Sequence, residues 1–214
     1  MDYKQHERKS PERSNTVTWP MSKVNISQKI AVWQPSGLSE KDVTWLIERF
    51  GSRTTLPVAV VARSSDGLPA VVKMPLVRNG EPFPTLYWLT DPILTPKITA
   101  LEYEGGVRKA ELFLRDTSEA RAIFLDQHAR YIHSRWATAA YNEQELVIAK
   151  GYERKLSKVG IGGVADFFRV KCLHLHVAHF LATQDNVIGK WVLDQVNCSG
   201  IPHLSSSGEL VSTL

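Results

Sequence analysis

Cysteine is scarce in this chain: 214 residues hold two, Cys172 and Cys198. Two distant thiols give no disulfide framework, so a reducing cytoplasm is the expected compartment. Long apolar runs are missing too. No stretch approaches the roughly 20 residues of a membrane-spanning helix. The first residues are polar and lack an apolar h-region, so no signal peptide is expected. Met21 is an alternative start to Met1. No internal repeat occurs, and no glycine pattern of the Walker or dinucleotide-binding kind. Charge of one sign is also in short supply, with 26 basic residues against 22 acidic and a net of +4. Residues 1–30 carry six basic and three acidic groups, a net of +3, which leaves +1 for the rest. The basic excess thus belongs to a short, mixed tail, and nucleic acid is not an expected partner.

What is present reads as a soluble globular protein, 43% hydrophobic and 22% charged. The length suits one domain with a sizeable core. Residues 1–36 are expected to be a disordered polar extension. Residues 37–196 are expected to form a single α+β domain, and the Ser-rich residues 197–214 a flexible tail. Within the domain, Ser39 with Asp42 resembles a capping box for a helix carrying Val43, Leu46, Ile47 and Phe50 and ending at Gly51. The Val-rich runs 56–63 and 69–74 flank the turn Ser64-Ser65-Asp66-Gly67. A second turn at Asn79-Gly80 leads into a third strand over residues 83–90. These segments predict a small antiparallel sheet of about three strands, packed against several helices.

The helices are expected as follows. Thr95-Pro96 opens one that runs to Glu104, and a short one covers 107–114. A long one spans 119 to about 150, with His128 and His133 on it as surface or edge histidines. A last one covers 187–196, anchored by Trp191. Residues 150–158 form a basic, solvated connector.

Between the last two lies the stretch that gathers the reactive side chains, Arg169-Val-Lys-Cys-Leu-His-Leu-His-Val-Ala-His179. Its periodicity predicts a helix over 164–182. Val170, Leu173, Val177, Phe180 and Leu181 would face the core, and Arg169, Cys172, His176 and His179 would share another arc. His174 would point away from both, beside Lys171. Cys172, His176 and His179 are spaced to share a divalent metal, though in no standard zinc pattern; Cys198 and His203 are the downstream candidates. A metal is therefore compatible but not favoured over a buried Cys and hydrogen-bonded histidines. Gly160-Ile-Gly-Gly163 before this helix suggests amides open to an anion, set against Asp166 as a plain helix cap.

Three blocks carry a family resemblance: Gly67-Leu-Pro-Ala-Val-Val-Lys73, Pro82-Phe-Pro-Thr-Leu-Tyr-Trp-Leu-Thr90, and Gly162-Gly163 followed by Arg169-Val-Lys-Cys-Leu-His174 and Ala178-His179. With them the chain resembles, over about residues 50–196, a mainly actinobacterial family catalogued as domain of unknown function 501. The resemblance implies no activity. Genes of that family tend to neighbour those for a septum-formation initiator-like and an exopolyphosphatase-like protein. The family's turn before Gly-x-Pro typically holds cysteine, where this chain has Ser64 and Asp66. If that cysteine serves as a metal ligand, Asp66 is a weaker oxygen substitute, and zinc loses ground. His174 and His179 fall on fixed positions of the pattern, His176 on a variable one.

Three functions follow as expectations. The first is a pocket for a small anionic or phosphorylated ligand, built from Lys73, Thr85, Tyr87, Arg169, Lys171, Cys172, His174 and His179. In it Cys172 is a candidate nucleophile with His174 or His179 as base, and Glu102 is the distant acid that could orient it. The second is a non-catalytic interaction protein accessory to cell division or envelope processes, with Tyr87-Trp88 as binding surface or, more simply, as core. The third is a metal-binding protein using Cys172, His176, His179 and Asp66.

Overall fold

The computed structural model describes residues 38–51 and 57–196, together with the backbone of two short paired strands, His203–Leu204 and Leu210–Val211. The proposed extension over 1–36 and nearly all of the proposed tail lie outside the described residues.

Helix α1 (Glu40–Phe50) opens with the expected capping box: Ser39 Oγ accepts the Asp42 amide and the Asp42 carboxylate accepts the Ser39 amide. Its outer side chains Ile47 and Phe50 remain exposed while Leu46 is buried. Strands β1 (Ala59–Arg63), β2 (Pro69–Lys73) and β5 (Tyr87–Leu89) make the antiparallel sheet in the order β1-β2-β5. Strands β3 (Val77–Arg78) and β4 (Glu81–Pro82) form a separate hairpin around Asn79-Gly80. The central strand β2 is buried at every position, because both faces of the sheet are covered. Val71 packs into the main core with Leu173, Val177 and Leu181, whereas Val72 and Met74 pack with Leu46 of α1.

The rest is helical: α2 (Leu94–Tyr103), α3 (Gly106–Asp116), α4 (Ser118–Ala137), α5 (Tyr141–Ala149), α6 (Glu153–Leu156), α7 (Leu173–Thr183) and α8 (Val187–Gln195). No described helix is long and apolar enough to cross a membrane. The α+β class and the three-stranded sheet agree with the sequence reading.

Four local expectations are corrected. Helix α2 starts at Leu94, because Asp91 Oδ1 takes the Ile93 and Leu94 amides, so Thr95-Pro96 lies inside it. The long helix ends at Ala137 and restarts at Tyr141. The Thr138 carbonyl freed by that break accepts Lys73 Nζ, and the Trp136 carbonyl accepts the Gln144 side-chain amide. His128 on α4 is fully buried instead of lying at the surface, whereas His133 is exposed. The helix expected over 164–182 begins only at Leu173. Asp166 turns the chain by accepting the Phe168 amide, and Glu111 and Glu102 take the amides of Val170 and Leu173. Asp166 therefore caps no helix. Arg169, Lys171 and Cys172 stand on a non-helical approach to α7, outside the helical faces assigned to them.

Candidate functional site

The late start of α7 decides where the reactive groups go. Cys172 is its N-cap residue, in extended conformation. Glu102, near the end of α2, reaches this end and receives the Leu173 amide on Oε1. The same oxygen lies 3.2 Å from His174 Nδ1. His174 Nε2 lies 3.2 Å from the Thr95 carbonyl oxygen and 3.2 Å from Thr99 Oγ1. Ligand atoms of Glu102, Cys172 and His174 all fall within 4.8 Å of one another, and all three residues are half-buried. Burial pushes the Cys172 thiol above its ordinary pKa and the Glu102 charge adds to that, while the amides of Leu175 and His174 oppose them. A thiol held neutral is a poor nucleophile.

The other two histidines of the stretch turn inward. His176 and His179 each accept a hydrogen bond at Nδ1 from the Asn186 side-chain amide, at 3.2 and 2.9 Å. Asn186 also caps α8, its Oδ1 taking the Gly189 amide. His179 stacks on Tyr87 and meets Tyr131 edge-on. His128 lies flat on Phe167 and edge-on to Phe124, and its Nδ1 accepts the Ile161 amide. Burial lowers the pKa of all three, to about 3 for His128, about 3 for His176 and about 4 for His179. They are neutral core side chains. The glycine turn serves this packing. The amides of Gly160, Ile161 and Gly163 are bonded to Val164 O, His128 Nδ1 and Gly160 O, so they are not open to an anion.

A third place is a cleft of about 800 Å³ between the end of the sheet and the α4–α5 break. Lys73, Thr85, Arg135 and Glu143 line it among Met74, Leu76, Phe83 and Leu86. Lys73 is almost fully buried, and desolvation lowers its pKa while the Glu143 charge opposes that. Buried Arg135 gives its guanidinium hydrogens to the carbonyls of Pro84, Leu156 and Val159, so dipoles meet its charge. Tyr131 supports the same wall. Its hydroxyl accepts the Leu86 amide, and burial pushes its pKa up to about 12.

The residues expected to form one pocket thus go to separate places. Lys73 and Thr85 line the cleft. Cys172 and His174 meet Glu102. Tyr87 and His179 stack in the core between sheet and α7. Arg169 points outward and pairs with Glu111 at 3.1 Å, and Lys171 Nζ donates to the Gly162 carbonyl. The expected metal set does not assemble: His176 and His179 share Asn186, and Asp66 is exposed on the β1–β2 turn. Among the described residues, the one cluster with metal-ligand spacing is Glu102, Cys172 and His174. Sequence reading passed over Arg135 and Asn186. Asn186 carried a legible cap signal, whereas nothing local marked Arg135.

The family model described as "Protein of unknown function (DUF501)" matches residues 60–194. The chain belongs to the DUF501 family. The matched span holds the α7 approach, the histidine core and the cleft's lining except Val58. No curated protein and no solved structure matches the chain.

Proposed function

We propose that this DUF501 protein is a cytoplasmic binding protein for a small anionic ligand with an apolar body, seated in the Lys73 cleft. The observation that carries this is the lining. A cleft of about 800 Å³ places two buried cations, Lys73 and Arg135, against one carboxylate, Glu143, among apolar side chains. Its volume lies in the range of small-molecule sites. An anion beside a desolvated ammonium gains far more than it would in water, and the apolar walls favour a carboxylate or phosphate attached to a hydrophobic group.

The test is thermal denaturation of the full chain with medium-chain fatty acids, aromatic carboxylates, inorganic phosphate and sugar phosphates. A ligand present at 100 times its Kd stabilises by about 2.7 kcal/mol. At least one acid should raise Tm in the native chain, and Lys73→Met should abolish the rise. No shift with any of them removes the proposal.

A further inference from the structure

The cluster at the start of α7 lies outside that cleft and points to different chemistry. Thr99 Oγ1 donates its single proton to the Thr95 carbonyl at 2.9 Å. Both groups beside His174 Nε2 are therefore acceptors, and Nε2 must carry a hydrogen. Neutral His174 then presents its lone pair at Nδ1, and what it faces at 3.2 Å is Glu102 Oε1, another acceptor. Two acceptors hold that separation only with a cation between them. A proton would satisfy nitrogen and oxygen alone. Here a third donor, the Cys172 sulfur, lies within 4.8 Å of both.

We propose that Glu102, Cys172 and His174 bind a divalent transition metal of the zinc class. Zinc bonds of about 2.0–2.3 Å put tetrahedral donors about 3.3–3.7 Å apart, so the nitrogen–oxygen pair is already near its place and the thiol needs a small swing. A thiolate with an imidazole selects such ions over magnesium or calcium. The Thr95 carbonyl on Nε2–H is the outer bond that fixes ring orientation in metal-binding histidines. Three protein ligands leave a fourth position. The side chains of His174 and Glu102 are 23% and 25% exposed, so a water or small ligand can reach it. Binding requires Cys172 to lose its proton to solvent, so metal uptake weakens as pH falls.

The full chain, stripped with chelator, is titrated with Co²⁺ and then Zn²⁺. One equivalent of Co²⁺ should produce a thiolate-to-cobalt charge-transfer band in the near ultraviolet, and Zn²⁺ should remove it. Cys172→Ser should abolish the band, Glu102→Gln and His174→Gln should weaken binding at least about 10-fold, and Cys198→Ser should leave the band intact. A native chain that gives no thiolate band overturns the proposal, as does a band that survives in a folded Cys172→Ser variant. The first reading is made on the native chain, so a misfolded variant cannot hide failure. The outcome is also independent of whether the Lys73 cleft takes an anion.

Discussion

A methyl group at position 160 would occupy the space of His128 Nδ1. The φ there is −89°, outside the left-handed region. What excludes a side chain at position 160 is the close approach of His128. His128 cannot retreat, since its ring is held between Phe167 and Phe124 and its Nδ1 holds the Ile161 amide. Gly67 is the opposite case: its φ is +76° and a Cβ there meets open space. Gly160→Ala should cost about 1–3 kcal/mol through overpacking, plus a lost buried hydrogen bond. Gly67→Ala should cost only the left-handed strain of about 1–2 kcal/mol. Urea denaturation of both variants checks the order. Equal losses would mean that the glycine turn is not fitted to His128.

At the scale of elements, the α7–α8 corner rests on one side chain. Asn186 accepts the Gly189 amide at the start of α8 and donates to His176 and His179 on α7. Asn186→Ala should cost about 1 kcal/mol for the cap and about 1–3 kcal/mol more for the stranded ring nitrogens. Asn186→Asp keeps the acceptor but loses the donor, so it should recover only the cap in equilibrium unfolding. Full recovery by Asp would show that the histidines do not need the amide. The helices and strands that sequence reading located well, α1, α8 and the sheet, carry local signals: a capping box for α1, an apolar run anchored by Trp191 for α8, and the Asp66-Gly67 turn between β1 and β2. Of the boundaries it missed, the start of α2 is set locally by Asp91, whereas the start of α7 and the α4–α5 break involve residues far along the chain. Helical periodicity runs on through 164–172, yet Glu102 and Glu111 take the amides there. The α4–α5 break falls in Thr138-Ala-Ala140, where no residue announces it; Lys73 takes the freed Thr138 carbonyl, and Gln144 joins the Ala139 amide on that of Trp136. The candidate sites followed suit. The residue types were legible, but their grouping depended on where α7 begins.

For the molecule as a whole, three neutral histidines sit where α4, α7 and α8 meet, and all are almost fully buried. Burial is the chief cause of their lowered pKa values, about 3 for His128 and His176 and about 4 for His179; Asp185 raises that of His179 and Arg130 lowers it. An unfolded histidine titrates near 6.5. Above that pH both states are neutral and the three contribute nothing to pH dependence. Below it the unfolded chain takes up protons that the native chain refuses, so stability falls with pH. The loss approaches about 1.4 kcal/mol per pH unit for each group, about 4 for the three, and continues until pH nears 4. Asp42 acts in a lower window. Its hydrogen bond to Arg63 holds its carboxyl far below the usual range, so its contribution is lost only below the unfolded carboxylate pKa near 4. In the chain stripped with chelator, the interval from pH 6.5 to 5 therefore isolates the histidines. Urea midpoints should be flat from pH 8 to 7 and drop steeply from 6.5 to 5, and exposed His133→Gln should leave that drop unchanged. A decline of no more than about 1.4 kcal/mol per pH unit would mean that at most one of the three stays neutral in the native chain.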